Sequence, residues 1–105
     1  MALAMPTAHP LEPPLAALAR PRVVRVKDIS FTPRRVTIRR GSAVTWRFLD
    51  DPTFHNVHPV GRRSFKGSRD KRTGTFTVRF RSPGRYRYHC TLHPLVMNGV
   101  VVVAR

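Results

Sequence analysis

The sequence predicts an all-β, Greek-key β-sandwich of a single domain, on three observations. Apolar residues recur with period two in short runs from residue 22 onward, turn residues separate those runs at sandwich-like intervals, and no long stretch beyond residue 22 carries a helical stripe. A chain of 105 residues has room for one such domain, and its 41% hydrophobic and 24% charged composition is that of a packed protein and not a disordered one.

The elements follow in order. Residues 1–21, MALAMPTAHPLEPPLAALARP, hold five prolines and no lasting period, which predicts a flexible Pro/Ala-rich tail outside a folded domain of residues 22–105. This segment lacks the basic and apolar regions of a secretory signal. Strands are expected at VVRVKDI (23–29), RVTI (35–38), AVTWRFL (43–49), HNVHPV (55–60), TFTVRF (75–80), RYRYHC (85–90) and GVVVVA (99–104). Gly41-Ser42, Asp50-Asp51-Pro52, the polar loop with Gly61, Gly67 and Ser68, and Pro83-Gly84 supply the breaks.

Alternation also assigns faces. Val44, Trp46 and Phe48 oppose Thr45 and Arg47, and Phe76, Val78 and Phe80 oppose Thr77 and Arg79, so the arginines form the solvent side. Tyr86, Tyr88 and Cys90 share the core-facing column, with Arg85, Arg87 and His89 outward. Along 55–60, His55 and Val57 are expected on one face and Asn56 and His58 on the other.

The bulk charge is extreme: 20 Lys and Arg against 5 Asp and Glu give a formal +15. Every basic residue lies at or after Arg20, so the domain itself is cationic and will attract acidic surfaces or other polyanions. The single cysteine excludes an internal disulfide. No apolar run approaches the roughly 20 residues that a membrane-spanning helix needs.

The chemistry gathers in Tyr-His-Cys-Thr-Leu-His-Pro-Leu-Val-Met-Asn-Gly, residues 88–99, where one strand ends and the next begins. A thiolate (Cys90), an imidazole (His93) and a thioether (Met97) lie on this loop, and a second imidazole (His55) lies far upstream. This set matches the trigonal two-His, one-Cys site with a weak axial Met that selects copper. Structural zinc uses four Cys or His ligands and catalytic zinc rarely accepts Met, which ranks zinc below copper. A nucleophilic Cys90 paired with His89 or His93 lacks an oxyanion donor loop and an orienting third group. Taken singly, a Cys at a strand end is an ordinary core residue and a lone His an ordinary surface one; the joint spacing carries the reading.

With these motifs in place, the sequence resembles the cupredoxins, the blue copper proteins of the plastocyanin, amicyanin and pseudoazurin group. The resemblance spans residues 23–104. It rests on Phe31-Thr32-Pro33, Val44-Thr45-Trp46, Phe54-His55-Asn56-Val57, Pro83-Gly84-x-Tyr86-x-Tyr88-x-Cys90 and Cys90-x-x-His93 followed by Met97-x-Gly99. It implies one type 1 copper ion held by His55 and His93 through Nδ1, by the Cys90 thiolate and weakly by Met97. Asn56 would tie the two ligand loops together near Thr91. His93, flanked by Pro94, Leu95 and Val96, would present the exposed edge through which electrons leave. Two departures stand out. Three residues separate His93 from Met97, where amicyanin-like members have two and plastocyanin-like ones four, and the +15 charge is unusual for the family.

The resemblance therefore implies a non-enzymatic electron carrier cycling between Cu(I) and Cu(II). Its redox partners would carry acidic docking surfaces, and it would act as a monomer in the periplasm or outside the cell. A copper-buffering or copper-delivery protein using the same ligands is the alternative. Specific nucleic-acid binding is not expected, since the basic residues are spread over several strands and the aromatic positions point inward. His58 and His89 fall on the outward face, where a second copper would need further ligands from another copy of the chain.

Overall fold

Period-two alternation becomes two facing layers in the computed structural model, which describes residues 22–105; the tail expected over residues 1–21 lies outside the described residues. The strands are β1 (Arg22–Lys27), β2 (Ser30–Thr32), β3 (Arg35–Arg39), β4 (Ala43–Phe48), β5 (His58–Val60), β6 (Thr75–Arg79), β7 (Gly84–His89) and β8 (Asn98–Ala104). One sheet has the order β2-β1-β4-β6 and the other β3-β8-β7-β5. From β2 to β7 the chain changes sheet at each step, so β1 and β4 pair in parallel, as do β3 and β8. The all-β sandwich agrees with the sequence expectation, and no helix occurs among the described residues.

The inner faces meet as the alternation requires. Val24, Val26, Val44, Trp46 and Phe48 of one sheet are buried against Val36, Ile38, Tyr86, Tyr88, Val101 and Val103 of the other. Trp46 sits at the centre, edge-on to Tyr88 at 5.3 Å between ring centroids, and Phe65 from the loop after β5 stacks over it at 6.1 Å. Such aromatic pairs add to the burial of apolar area by fixing how the sheets interlock. Phe76 and Val78, expected on the core face, are only half-buried, because β6 is the edge strand of its sheet.

Two local expectations are corrected. The run 23–29 stops as a strand at Lys27, which pairs with Ser30, because Asp28 and Ile29 both take φ of 54° and form a two-residue hairpin turn into β2. A β-branched residue in that region is uncommon; Ile29 is exposed there, so the turn places no large side chain against the core. The run 55–60 is regular only from His58, and Asn56 is buried beside His55 and Val57 instead of facing outward with His58.

The sandwich positions the ligand loop by its middle strands. β7 lies between β8 and β5, ends at His89, and hands over to β8 at Asn98, so residues 90–97 form a loop rooted in two paired strands. At that root Tyr88 lies opposite Gly99. A β-carbon at Gly99 would stand 2.5 Å from the Tyr88 ring carbon Cζ and 3.0 Å from the Arg34 carbonyl, so only glycine lets the ring pass.

Candidate metal centre

Cys90 is the first residue beyond β7, and its fully buried side chain continues the Tyr86-Tyr88 column. The loop closes on itself through main-chain bonds. The Cys90 N–H donates to the Met97 carbonyl at 3.0 Å, and the His93 carbonyl accepts from the Met97 N–H at 3.0 Å. The His93 N–H in turn donates to the Cys90 carbonyl at 3.1 Å. Met97 is thereby carried back over Cys90 and is fully buried, while His93 is half-buried at the rim.

His55 arrives from a different part of the chain. Its main chain pairs in both directions with Lys71, at 2.9 and 2.8 Å, and the next residues are held by Ser68, whose Oγ accepts from the Val57 N–H at 2.9 Å. This clamp takes the place of regular strand structure over 55–57. It presents three consecutive buried residues, whereas strand alternation would have buried only every other one.

The donor atoms converge. Nδ1 of His55 lies 3.9 Å and Nδ1 of His93 3.7 Å from the Cys90 Sγ. Donor atoms of all three residues lie within 4.8 Å of one another, the one cluster of three or more His, Cys or acidic groups among the described residues. Two ligand bonds of roughly 2.0 to 2.3 Å opened to about 120° leave an N···S separation of about 3.7 Å, so the three donors suit one shared ion. A buried thiol and two imidazoles beside a buried thioether form a soft, nitrogen-sulfur set, which favours copper over hard cations.

Hydrogen bonds from outside the cluster fix the His55 ring and the Cys90 sulfur. Asp50 Oδ2 lies 2.7 Å from His55 Nε2. That hydrogen bond is the main reason the Asp50 carboxyl is held below the usual carboxylate range, with partial burial opposing it and main-chain bonds at Asp28 and Ile29 adding to it. An ionised carboxylate only accepts, so Nε2 carries the proton and donates, and the Nδ1 lone pair faces the cluster. The Asn56 N–H donates to Cys90 Sγ at 3.4 Å.

The Asn56 side chain joins the two ligand segments, as expected. Its Oδ1 accepts from the Thr91 N–H at 2.9 Å, and its Nδ2 donates to Thr91 Oγ1 at 2.7 Å and to Asp70 Oδ1 at 2.8 Å. Sequence reasoning missed Asp50, read only as the end of a strand, and the sulfur contact of the Asn56 main chain. The available signal for Asp50 was a carboxylate five residues before a candidate ligand histidine; a main-chain donor leaves none.

His58 and His89 pair across β5 and β7 on the outer face, with ring centroids 6.0 Å apart and no third metal-binding side chain of the kinds above beside them among the described residues. On the His93 loop, Leu92, Leu95 and Val96 are exposed apolar residues, Leu95 at 93% and Val96 at 70%.

Known proteins resemble this chain in sequence and in fold. The family model for copper binding proteins of the plastocyanin/azurin family matches residues 22–104. Amicyanin-alpha of Methylorubrum extorquens is 36% identical over 83 residues, which cover 75% of this chain and 69% of that protein. The solved structure of a reduced amicyanin variant superposes with a TM-score of 0.67 at 33% identity, over 79% of this chain and 81% of that one. A purple cupredoxin from Nitrosopumilus maritimus has the same fold at 24% identity, with a TM-score of 0.69 over 79% of this chain and 99% of its own. A match over residues 22–104, joined to a cluster of two imidazoles and one thiol of which His55 and Cys90 are buried and His93 half-buried, means that this chain belongs to the copper-binding plastocyanin/azurin family.

Proposed function

We propose that this protein is a type 1 copper electron carrier in which His55, Cys90, His93 and Met97 hold the ion. When bound, copper supplies a one-electron Cu(I)/Cu(II) couple, and the thiolate gives the cupric form an intense visible colour. The observation that carries this reading is the convergence of the two Nδ1 atoms on Cys90 Sγ at 3.9 and 3.7 Å.

The chain's own part is to keep the donors still. Electron exchange is fast when neither oxidation state requires its ligands to move, and here each donor is tied to the sandwich. Asp50 orients the His55 ring, the Asn56 N–H steadies the sulfur, and the Asn56 side chain locks the 55–57 segment to the Cys90 loop. Met97 is set by the main-chain bonds around Cys90 and His93. His93 alone among the three clustered residues reaches the surface, inside the apolar rim of Leu95 and Val96, so electrons pass through its ring edge. Little desolvation opposes brief contacts there.

In this reading no substrate is transformed, the protein works as a monomer in the periplasm or outside the cell, and its redox partners carry acidic docking surfaces that complement the +15 charge. No helix among the described residues is long and apolar enough to cross a membrane. The test is spectroscopic. Adding Cu(II) to the metal-free protein should give one bound ion and an intense band near about 600 nm. A colourless cupric form, or metal transfer to an apo acceptor that outpaces electron self-exchange, overturns the reading.

A further inference from the structure

The outer face of the second sheet carries positive charge that the fold leaves unanswered. Arg85 and Arg87 project outward from β7, and Arg62 and Arg63 follow directly after β5; with Val60 and Gly61 they line an open cavity of about 440 Å³. Val60 lies opposite Arg87 in the β5–β7 register, and Arg62 and Arg63 lie in the turn just beyond it, so both arginine pairs line the same cavity. The described residues form two ion pairs, His55 with Asp50 and Arg72 with Asp51, and neither involves these four guanidinium groups. Asp70 is engaged by Asn56.

One of the four is also held in place. Arg63 lies over the Tyr86 ring at 5.9 Å and against the main chain of Gly84, where a β-carbon would overlap its guanidinium. Gly84, at φ of 145°, therefore leaves room for this arginine as well as a backbone shape that other residues rarely adopt. A guanidinium positioned before its partner arrives loses less freedom on binding, and its planar fork matches carboxylate oxygens.

From these observations we infer that the Arg62, Arg63, Arg85, Arg87 cavity is a binding site for an extended acidic segment of a partner protein. Spacing favours that occupant over a small anion. Arg85 and Arg87 are alternate residues of one strand, roughly 6.6 Å apart along it, and carboxylates at alternate positions of an extended segment repeat at the same interval. A single phosphate cannot address both pairs of a cavity this size. Nucleic-acid phosphates are also regularly spaced, but single-stranded binding draws on aromatic faces for stacking, and no aromatic residue lines this cavity. Pro59 at the middle of the three-residue edge strand β5 offers no N–H, so the segment is held by arginine side chains and not by adding a strand.

The inference deepens the electron-carrier reading by placing the grip on an acidic partner away from the His93 rim. It rests on that reading only for calling the partner a redox protein. Its test uses the full copper-loaded chain and a labelled peptide of alternating Asp and Ser, with binding followed by fluorescence anisotropy at low salt. Arg85→Gln with Arg87→Gln should weaken binding about tenfold, since two partly exposed ion pairs are lost. Arg62→Gln with Arg63→Gln should do the same.

Arg25→Gln with Arg47→Gln removes equal charge from the outer face of the other sheet, where the two arginines lie opposite one another, and should change binding less than about twofold. Equal weakening by that control pair would show diffuse attraction and overturn the site. So would tighter binding of an oligothymidylate of equal charge that depends on the same four arginines. Neither result touches the blue band, whereas failure of the electron-carrier reading appears as its absence.

Discussion

The copper pole and the arginine face treat their polar groups in opposite ways. At the pole, His55 and Asn56 are buried and answered from within the chain, by Asp50, Thr91, Asp70 and main-chain groups. Around β5 and β7, Arg62, Arg63, Arg85 and Arg87 are exposed at one cavity and no described carboxylate pairs with them. Burial explains the difference. An unpaired polar group away from water costs about 1 to 3 kcal/mol, so the pole has to be complete before anything binds, while a solvated guanidinium can wait for an outside partner. Substitutions at the pole should therefore be read in stability and metal affinity, and those on the face in association alone.

The largest effect is expected from Cys90→Ser, which should abolish the visible band and most copper affinity while circular dichroism still reports the sandwich. A retained band would break the assignment of the pole. Met97→Leu should keep the band and raise the reduction potential, a difference that voltammetry reads directly.

Asn56→Ala should follow, at about 1 to 2 kcal/mol of lost stability by denaturant unfolding, because the buried Asn56 side chain loses its part-buried hydrogen bonds to Thr91 and Asp70 and the two ligand segments are freed. Asp50→Asn preserves a hydrogen bond to His55 but removes the charge. A tenfold to hundredfold loss of copper affinity is expected by competition titration, the usual scale for a group that orients a ligand.

The core between the two regions has its own titration. Burial pushes the Tyr88 phenol up to about 12, and the Trp46 indole, close by but short of hydrogen-bonding geometry, offsets only part of that rise. The folded protein thus keeps a proton that the unfolded chain releases near pH 10. Stability should fall as the pH rises from about 10 to about 12, by roughly 2 to 3 kcal/mol in all, and Tyr88→Phe should flatten that decline in alkaline unfolding curves.

The smallest stability effect belongs to the face. Arg85→Gln with Arg87→Gln should leave unfolding within about 0.5 kcal/mol of the parent. Association of the parent with an acidic partner should slow steeply as salt rises, and the double variant should respond less. Loss of several kcal/mol in that variant would mean that the arginines serve the fold, and the contrast would fail.

Residues 22–105 revealed much of this architecture through local pattern. The alternation of Val44-Trp46-Phe48 and Tyr86-Tyr88-Cys90 fixes which face is buried, because side chains on a strand can only alternate. The hairpin turn at Asp28-Ile29 was not legible, since Ile is a poor residue for positive φ and reads as strand. The burial of Asn56 was missed for a related reason: the 55–57 segment is shaped by pairing with Lys71 and Ser68, distant in sequence, and alternation holds only inside a regular ladder.

By itself, the sequence determined the all-β class, the inward and outward sides of most strands, the candidate donors and the cationic surface. Each is a property of residue type at a spacing, which short-range geometry converts directly into structure. Tertiary structure alone decided that His55 faces Cys90 and His93, that Asp50 holds the His55 ring, that the Asn56 main chain reaches the sulfur, and that four arginines from two chain segments line one cavity. Those relations depend on contacts between segments far apart in the chain. Pairing of β5 with β7 brings His55 to the Cys90 loop and gathers the arginines at one cavity, and the packing of the other sheet against this one brings Asp50 to the His55 ring.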